Sequence, residues 1–418
     1  LIQSKHLKDS ITLLSKLSFL LTKSDLSLED KLQDVVLIIA QALGVKKCSL
    51  VLKTTDNGFK IVASTGLDVS KEKLQHIDPV KDSKIIRYVI ENQEPIVVKT
   101  HEDMLKYDLK PKKNYKITSF ISAPLIVPGG KFLGVINLTE TLSNKPFTDI
   151  QSKTILILSN QIAITIENTK LSQQILQDTL IREQLKIAQR VQNSLVPEKY
   201  PDKIVDSYGF TIPTFQVGGD YFDISEISED EVAFILADVS GKGIPASLIM
   251  TSFRSYWRAL IKTTKSPKKI FEKLNQMLFN DLEKENLFLT CFYGIYNKKK
   301  HTLLFGNAGN EFPIFYNSFK SKFTIMNKNN TILGVFPNTK YNTYSKDIQK
   351  GDVIFVFSDG VTDFQYLREI DSIKIIKDIY LKNSNKSIKI IVSKIKETLL
   401  QKIEGRHSDD LTLIALRF

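Results

Sequence analysis

The stretch from Leu171 to Pro197, LSQQILQDTLIREQLKIAQRVQNSLVP, contains no glycine, and its only proline is its last residue. A run without turn residues, polar throughout and carrying only a broken apolar seam at Leu176, Leu180 and Ile187, predicts a long solvated helix. A helix of that kind buries too little to belong to a core. The segments on either side must therefore each fold around a core of their own. The predicted organisation of the 418 residues is an N-terminal domain over 1–170, a coiled-coil-like helical linker over 171–197 and a C-terminal domain over 198–418. The broken seam leaves two readings of the linker, a solvated spacer or a pairing helix, and a homodimer through it is the expectation.

The N-terminal part opens with helical spacing at Leu14, Leu17 and Leu21, and again at Leu32, Val35, Ile39 and Leu43. In CSLVLKTTDNGFKIVAS, two alternating runs flank Asp56-Asn57-Gly58, the signal of a β-hairpin. A second pair, TSFISAPLIVPGGKFLGVINLTE, turns at Pro128-Gly129-Gly130, and a helix over about 148–170 closes the region. Helix, meander and helix make an α+β layout.

The C-terminal part reads as strands at 206–213, 219–225, 231–238, 287–297, 302–307, 312–316, 352–358 and 410–417. Between them fall a helix with Ala246, Met250, Phe253, Trp257 and Leu260 on one face and Pro245 in its first turn, and another with Ile388, Val392, Ile395 and Leu399. Many antiparallel-type strands with helices grouped between them indicate a layered α+β domain rather than a doubly wound sheet. The Asn/Lys-rich piece at 327–330 reads as a loop.

Composition narrows the function. The net charge of +12 comes from 58 basic and 46 acidic residues, and the basic ones are mostly lysines spread along the chain. They lack the interleaved aromatics of a nucleic-acid platform, so they read as solvated faces and no nucleic-acid partner is expected. Cys48 and Cys291 sit in apolar, β-branched runs and read as small core residues, consistent with a reducing, cytoplasmic setting. His6, His76, His101, His301 and His407 show no ligand spacing, which argues against zinc. No stretch has the roughly 18 apolar residues of a membrane span. The chain starts at Leu1 with no signal-peptide pattern, as a piece of a longer chain would.

The chemistry lies in acidic residues at strand boundaries. ADVSGKGIPA places Asp238 at the end of an apolar run, ahead of a Gly-Lys-Gly turn. A phosphate-binding loop would need a glycine five residues before the Gly-Lys pair and Ser or Thr after it, and both are missing. QVGGDYFDI sets Asp220 after two glycines, DVIFVFSDGVTDF ends its apolar run at Ser358-Asp359-Gly360, and RHSDDLTLIALRF puts Asp409 and Asp410 before the last run. One Asp-Gly pair alone is a turn. Several strand-end carboxylates in one domain, without His or Cys, form a hard oxygen site suited to Mg²⁺ or Mn²⁺.

The set G-G-D, D-V-S-G-K-G, S-D-G-V-T and D-D-L-T, in that order, resembles the metal-dependent serine/threonine phosphatases of the protein phosphatase 2C-like (PPM) superfamily. The nearest branch is the bacterial one of sporulation and stress-response sigma-factor regulators. EQLKIAQRVQNSLVP is similar to the helix preceding the catalytic domain there, so the resemblance covers about 180–418. It implies an αββα sandwich holding two ions, Mn²⁺ or Mg²⁺. Carried over, Asp238 bridges the ions with help from the Val239 carbonyl, and Asp359 and Asp409 complete the second ion. Asp220 binds through water or supports the ligands, and Asp410 orients its neighbour. Asp238, Asp220, Asp359 and Asp409 form the catalytic set. A metal-activated water attacks the phosphoester, and no protein nucleophile is required.

Two departures stand out. Asn310 in GNAGNEFPIF occupies a position that is usually His, and FTIPTFQVGG (210–219) lacks the phosphate-holding arginine of eukaryotic relatives. Phosphate binding then rests on the metals or another group. Lys242 is a candidate, although it reads more simply as an exposed lysine. SFISAPLIVPGGKFLGVINL resembles a GAF domain, which implies an N-terminal sensor for an unknown ligand or upstream regulator. Together the resemblances imply a GAF-regulated phosphatase acting on a phosphorylated anti-sigma-factor antagonist, with the linker acting on the helix at 243–261. The alternatives are an inactive pseudophosphatase that serves as a binding module, and a nucleotide or second-messenger hydrolase.

Overall fold

The computed structural model describes Lys16 and residues 27–54, 56, 58–67, 83–109, 119–362, 371–403 and 408–418. The first predicted helix, with Leu14, Leu17 and Leu21, lies outside the described residues, as do His6, His76 and His407. The chain divides into two compact units, Leu1–Thr179 and Leu180–Phe418.

In the first unit, helix α1 (Leu28–Leu43) starts where the Ser27 hydroxyl accepts the Asp30 amide, 3.1 Å away. Its apolar positions Leu32, Val35, Val36 and Ile39 are fully buried. Strands β1 (Val45–Lys53) and β2 (Phe59–Thr65) form the first hairpin. Helix α2 (Lys84–Asn92), strand β3 (Ile96–Val98) and the short helix α3 (His101–Lys106) follow. Strands β4 (Phe120–Ile126) and β5 (Phe132–Thr141) complete an antiparallel sheet of order β2-β1-β5-β4-β3. Because side chains alternate along a strand, Cys48, Leu50 and Leu52 pack with α1, while Val51, Val135 and Phe120 pack with Ile86, Val89 and Met104. Burial pushes the Cys48 thiol up to about 12, the behaviour of an inert core residue.

The predicted closing helix and the linker are one element, α4, which runs without a break from Asp149 to Leu195. Its buried residues stop at Ile166. Beyond that point Leu171, Ile175, Leu176, Leu180, Ile181, Ile187 and Val191 are all exposed. No helix among the described residues is long and apolar enough to cross a membrane.

The second unit contains two five-stranded antiparallel sheets. Strands β6 (Asp206–Ile212), β7 (Tyr221–Ser228) and β8 (Glu231–Val239) come first, then helices α5 (Ile244–Leu260) and α6 (Pro267–Lys284). Next are β9 (Leu289–Asn297), β10 (Thr302–Ala308), β11 (Ile314–Asn317), β12 (Lys322–Ile325), β13 (Tyr344–Asp347) and β14 (Val353–Phe357). Helices α7 (Ser372–Asn383) and α8 (Ile388–Lys402) and strand β15 (Leu411–Arg417) end the chain. One sheet has the order β13-β10-β9-β8-β7 and the other β12-β11-β14-β15-β6.

Phe222, Phe234, Phe292, Ile354, Val356 and Ile414 fill the space between the sheets. Ala246, Met250, Phe253 and Trp257 of α5, with Phe271 and Leu274 of α6, cover the outer face of the first sheet. Ile376, Ile391, Val392 and Ile395 of α7 and α8 cover the other. The result is an αββα sandwich. A central strand such as β8 is buried on both faces, which is why EVAFILADV reads as a nearly continuous apolar run instead of alternating. The sequence analysis missed β3, β12 and β13, which are short edge strands. Residues of β12 and β13 are mostly exposed, so neither strand carries the apolar pattern that a core-facing strand needs.

Candidate metal centre

Strand register brings the acidic residues together. In the β7–β8 ladder Tyr221 pairs with Ala237, so Asp220 and Asp238 sit at the same end of the first sheet. In the β14–β15 ladder Phe357 pairs with Leu413, which sets Ser358-Asp359 and Asp409-Asp410 together at one end of the second. The two ends meet. Asp220 is raised well above the carboxylate range, first by burial and then by the charges of Asp238 and Asp410. Asp238 is pushed up to about 7, by burial and then by Asp359, Asp409 and Asp410. Like charges held close in a partly dry site disfavour ionisation, and perturbed carboxyls of this kind gather at functional sites.

The supporting contacts are specific. Asp410 is buried, and its Oδ1 accepts the Thr214 amide (2.7 Å) while its Oδ2 accepts the Gly219 amide (2.8 Å). Asp410 therefore fixes the loop that presents Asp220, a role beyond the orientation of Asp409 that the resemblance implied. The glycine pair permits this approach. A Cβ on Gly218 would lie 2.1 Å from Asp410 Oδ2, and one on Gly219 would lie 2.7 Å from the Val239 carbonyl oxygen. Ser358 Oγ accepts the Thr412 amide (3.1 Å) and donates to Asp220 Oδ2 (2.8 Å). The other oxygen, Asp220 Oδ1, is buried with no hydrogen-bond partner.

An orphaned buried carboxylate oxygen among further acids is what a hard cation would satisfy. The donor chemistry fits Mg²⁺ or Mn²⁺. Among the described residues, no three His, Cys, Asp or Glu side chains are already drawn into a closed ligand set. Asp359, at the start of a 3₁₀ turn, is exposed, and Asp409 is intermediate.

Lys242 Nζ lies 3.0 Å from Asp409 Oδ2 and also donates to the Ser408 carbonyl, so it is an ion-paired residue of the site rather than a free surface lysine. Asn310 is buried, and its Nδ2 donates to the Phe357 carbonyl (3.1 Å), two residues before Asp359.

Sequence reasoning missed Gln192, in the last turn of α4. Its Nε2 donates to the Gly218 carbonyl (2.7 Å) and its Oε1 accepts the Gly218 amide (3.1 Å). It also missed Asp223, which is fully buried on β7 between Tyr221 Oη (2.6 Å) and Arg258 Nε (2.7 Å).

The sandwich, with acidic strand ends from both sheets gathered at one edge, defines the class: a PPM-type, protein phosphatase 2C-like serine/threonine phosphatase domain. Residues 228–418 match the SpoIIE family (stage II sporulation protein E) and residues 27–166 match the GAF domain. The second unit is thus similar to the SpoIIE family over most of its length, and the first unit to the GAF domain. It is 29% identical to phosphoserine phosphatase RsbU of Bacillus subtilis (strain 168) over 242 residues, 57% of this chain and 70% of that protein. Phosphoserine phosphatase RsbP of the same organism is 24% identical over 187 residues, 44% of this chain and 46% of that protein. The SiaA-PP2C domain of Pseudomonas aeruginosa shares the fold, with a TM-score of 0.50 at 16% identity, covering 58% of this chain and 98% of that domain. Metal dependence is a property of this family.

Proposed function

We propose that the chain is an active, metal-dependent phosphoprotein phosphatase whose substrate is a phosphorylated serine or threonine on an anti-sigma-factor antagonist. The observation that carries this reading is the meeting of Asp220, Asp238, Asp359 and Asp409 at one end of the sandwich, with a buried carboxylate oxygen left unpartnered. In this reading Asp238 and the Val239 carbonyl would be shared by two divalent cations, Mn²⁺ or Mg²⁺, Asp359 and Asp409 would help to hold one of them, and Asp220 would bind through water or support the ligands. When bound, the ions supply an activated water and neutralise the phosphoryl oxygens. Asp410 and Ser358 keep Asp220 in place, and Asn310 steadies the strand end that leads to Asp359.

The phosphoserine phosphatases among the relatives support a phosphoprotein substrate. The exposed apolar residues of α4 between Leu171 and Val191 support a homodimer through that helix, and the GAF domain supports control by a ligand or an upstream regulator.

The test is hydrolysis of p-nitrophenyl phosphate and of a phosphorylated antagonist protein, with Mn²⁺ or with EDTA, by the full chain and by Asp238→Asn. Turnover that needs Mn²⁺ and is lost in the variant supports the reading. Mn²⁺ binding without turnover on either substrate would make the domain a binding module.

A further inference from the structure

Away from the acidic end, the second unit has a cavity of about 950 Å³ between the end of β7, the last turn of α5 and the first turn of α6. Its wall carries four cationic side chains, Arg258, Lys262, Lys265 and Lys269, with the hydroxyls of Ser225, Thr263, Thr264 and Ser266, against one acid, Glu226. Arg258 is paired with buried Asp223, and Lys265 with Glu231. Lys262 and Lys269 have no acidic partner among the described residues. Ser266, the N-cap of α6, makes no side-chain capping bond, and Pro267 begins the helix. The Lys268 and Ile270 amides of that turn are taken by Thr343 Oγ1 and the Ser266 carbonyl, so what α6 brings to this space is the Lys269 side chain, beside that of Lys262.

We propose that this cavity binds a small phosphate-bearing anion, a nucleotide or an inorganic polyphosphate. Lysine ammonium groups without an acidic partner are donors that phosphate oxygens take. The volume is at the upper end of small-molecule pockets, which run from about 300 to 1,000 Å³. The apolar wall from Ile227 and Ile261 leaves room for a ring beside the phosphates. Lysines on a plain solvated face would stand on a convex surface. Here Lys262 and Lys269 line the same cavity as Arg258, which is held by buried Asp223.

That anchor gives the site a consequence, which rests on the phosphatase reading above. Arg258 binds Asp223 on β7, three residues after Asp220, and α5 starts at its N-cap Gly243, five residues past Asp238, and ends at the cavity. An anion that draws on Arg258 acts on the two elements that position Asp220 and Asp238. The occupant is then an effector of the phosphatase, not its substrate.

The experiment is isothermal titration of the metal-free full chain, in EDTA, with tripolyphosphate and separately with ATP. We expect saturable binding that weakens at least tenfold in Lys262→Glu/Lys269→Glu. A change below twofold is expected in the control Lys320→Glu/Lys322→Glu, which carries the same charge change on the β11–β12 hairpin. The milder Lys262→Gln/Lys269→Gln should weaken binding several-fold with an unchanged melting temperature. Tighter binding of ATP than of tripolyphosphate assigns a nucleotide, and equal binding assigns a polyphosphate. Absence of binding at millimolar ligand, or an equal loss in the control, overturns the proposal. The heat signal needs no turnover, so a failed phosphatase assay leaves this result readable.

Discussion

Strand β14 has a buried aspartate before it and an acidic cluster after it, and the two ends are built on opposite plans. Before it, Asp352 is fully buried, and its oxygens accept the Ser318 amide (2.7 Å), the Ser318 hydroxyl (3.0 Å) and the Gln349 amide (2.9 Å). After it, Asp359 joins Asp220, Asp238, Asp409 and Asp410, two carboxyls are pushed up in pKa, and one buried oxygen has no partner. The first end is complete as it stands. The second sets one cation, Lys242 on Asp409, against five carboxyls and leaves Asp220 Oδ1 unmet. A buried carboxylate with all its donors supplied by the protein is structural, and one that is short of donors and crowded by its own kind is chemical.

Substitutions at the two ends test that contrast. The largest effect is expected from Asp238→Asn. Phosphatase turnover with Mn²⁺ should fall at least a hundredfold, roughly 3 kcal/mol of barrier, while the melting temperature in EDTA stays level or rises because one repelling charge is gone. A parallel loss of folding would break the contrast. Asp352→Ala should do the reverse. It strands three donors and should cost about 2–3 kcal/mol of stability in denaturant unfolding, with the turnover number of the folded fraction unchanged.

A smaller effect separates the ends by pH. Asp238 titrates near 4 in an unfolded chain and at about 7 in the fold. Between those values the folded form holds the extra proton, so this group's contribution to stability is present at low pH and is lost as pH rises through about 7. In EDTA, denaturant unfolding should therefore show stability falling between pH 5 and pH 8. Mn²⁺ competes with that proton, so its affinity should rise over the same interval. The smallest effect is expected from Gln192→Ala, a two- to fivefold weaker Mn²⁺ affinity in titration, as the Gly218–Asp220 segment keeps Asp410 and Ser358 but loses its tie to Gln192.

Much of this was legible in the sequence, for a physical reason. Asp238 and Asp359 end apolar runs and Asp409-Asp410 precede one, so the strands themselves mark where these side chains emerge. The buried face of α5 could be read from its three-four spacing, and all five predicted positions are buried. The rest depended on tertiary contacts that leave no local pattern. Gln192 is one polar residue in a polar helix, and Lys242 looks like any loop lysine until the fold sets it 3.0 Å from Asp409. The role of Asp410 depends on a glycine pair about 190 residues away. The helix predicted to about 170 and the helical linker from 171 are one element, because nothing between them stops a helix.

The hold of Gln192 on Gly218 uses both ends of a side-chain amide against main-chain atoms alone. A joint of that sort ignores the chemistry of neighbouring side groups and can let go by rotation about one bond, with no packed interior disturbed. Exchanging one nitrogen for oxygen, as in Gln192→Glu, would set a carboxylate against the Gly218 carbonyl and turn half of the attraction into repulsion. The backbone two residues ahead of Asp220 is thus fastened by a part that is inexpensive to undo.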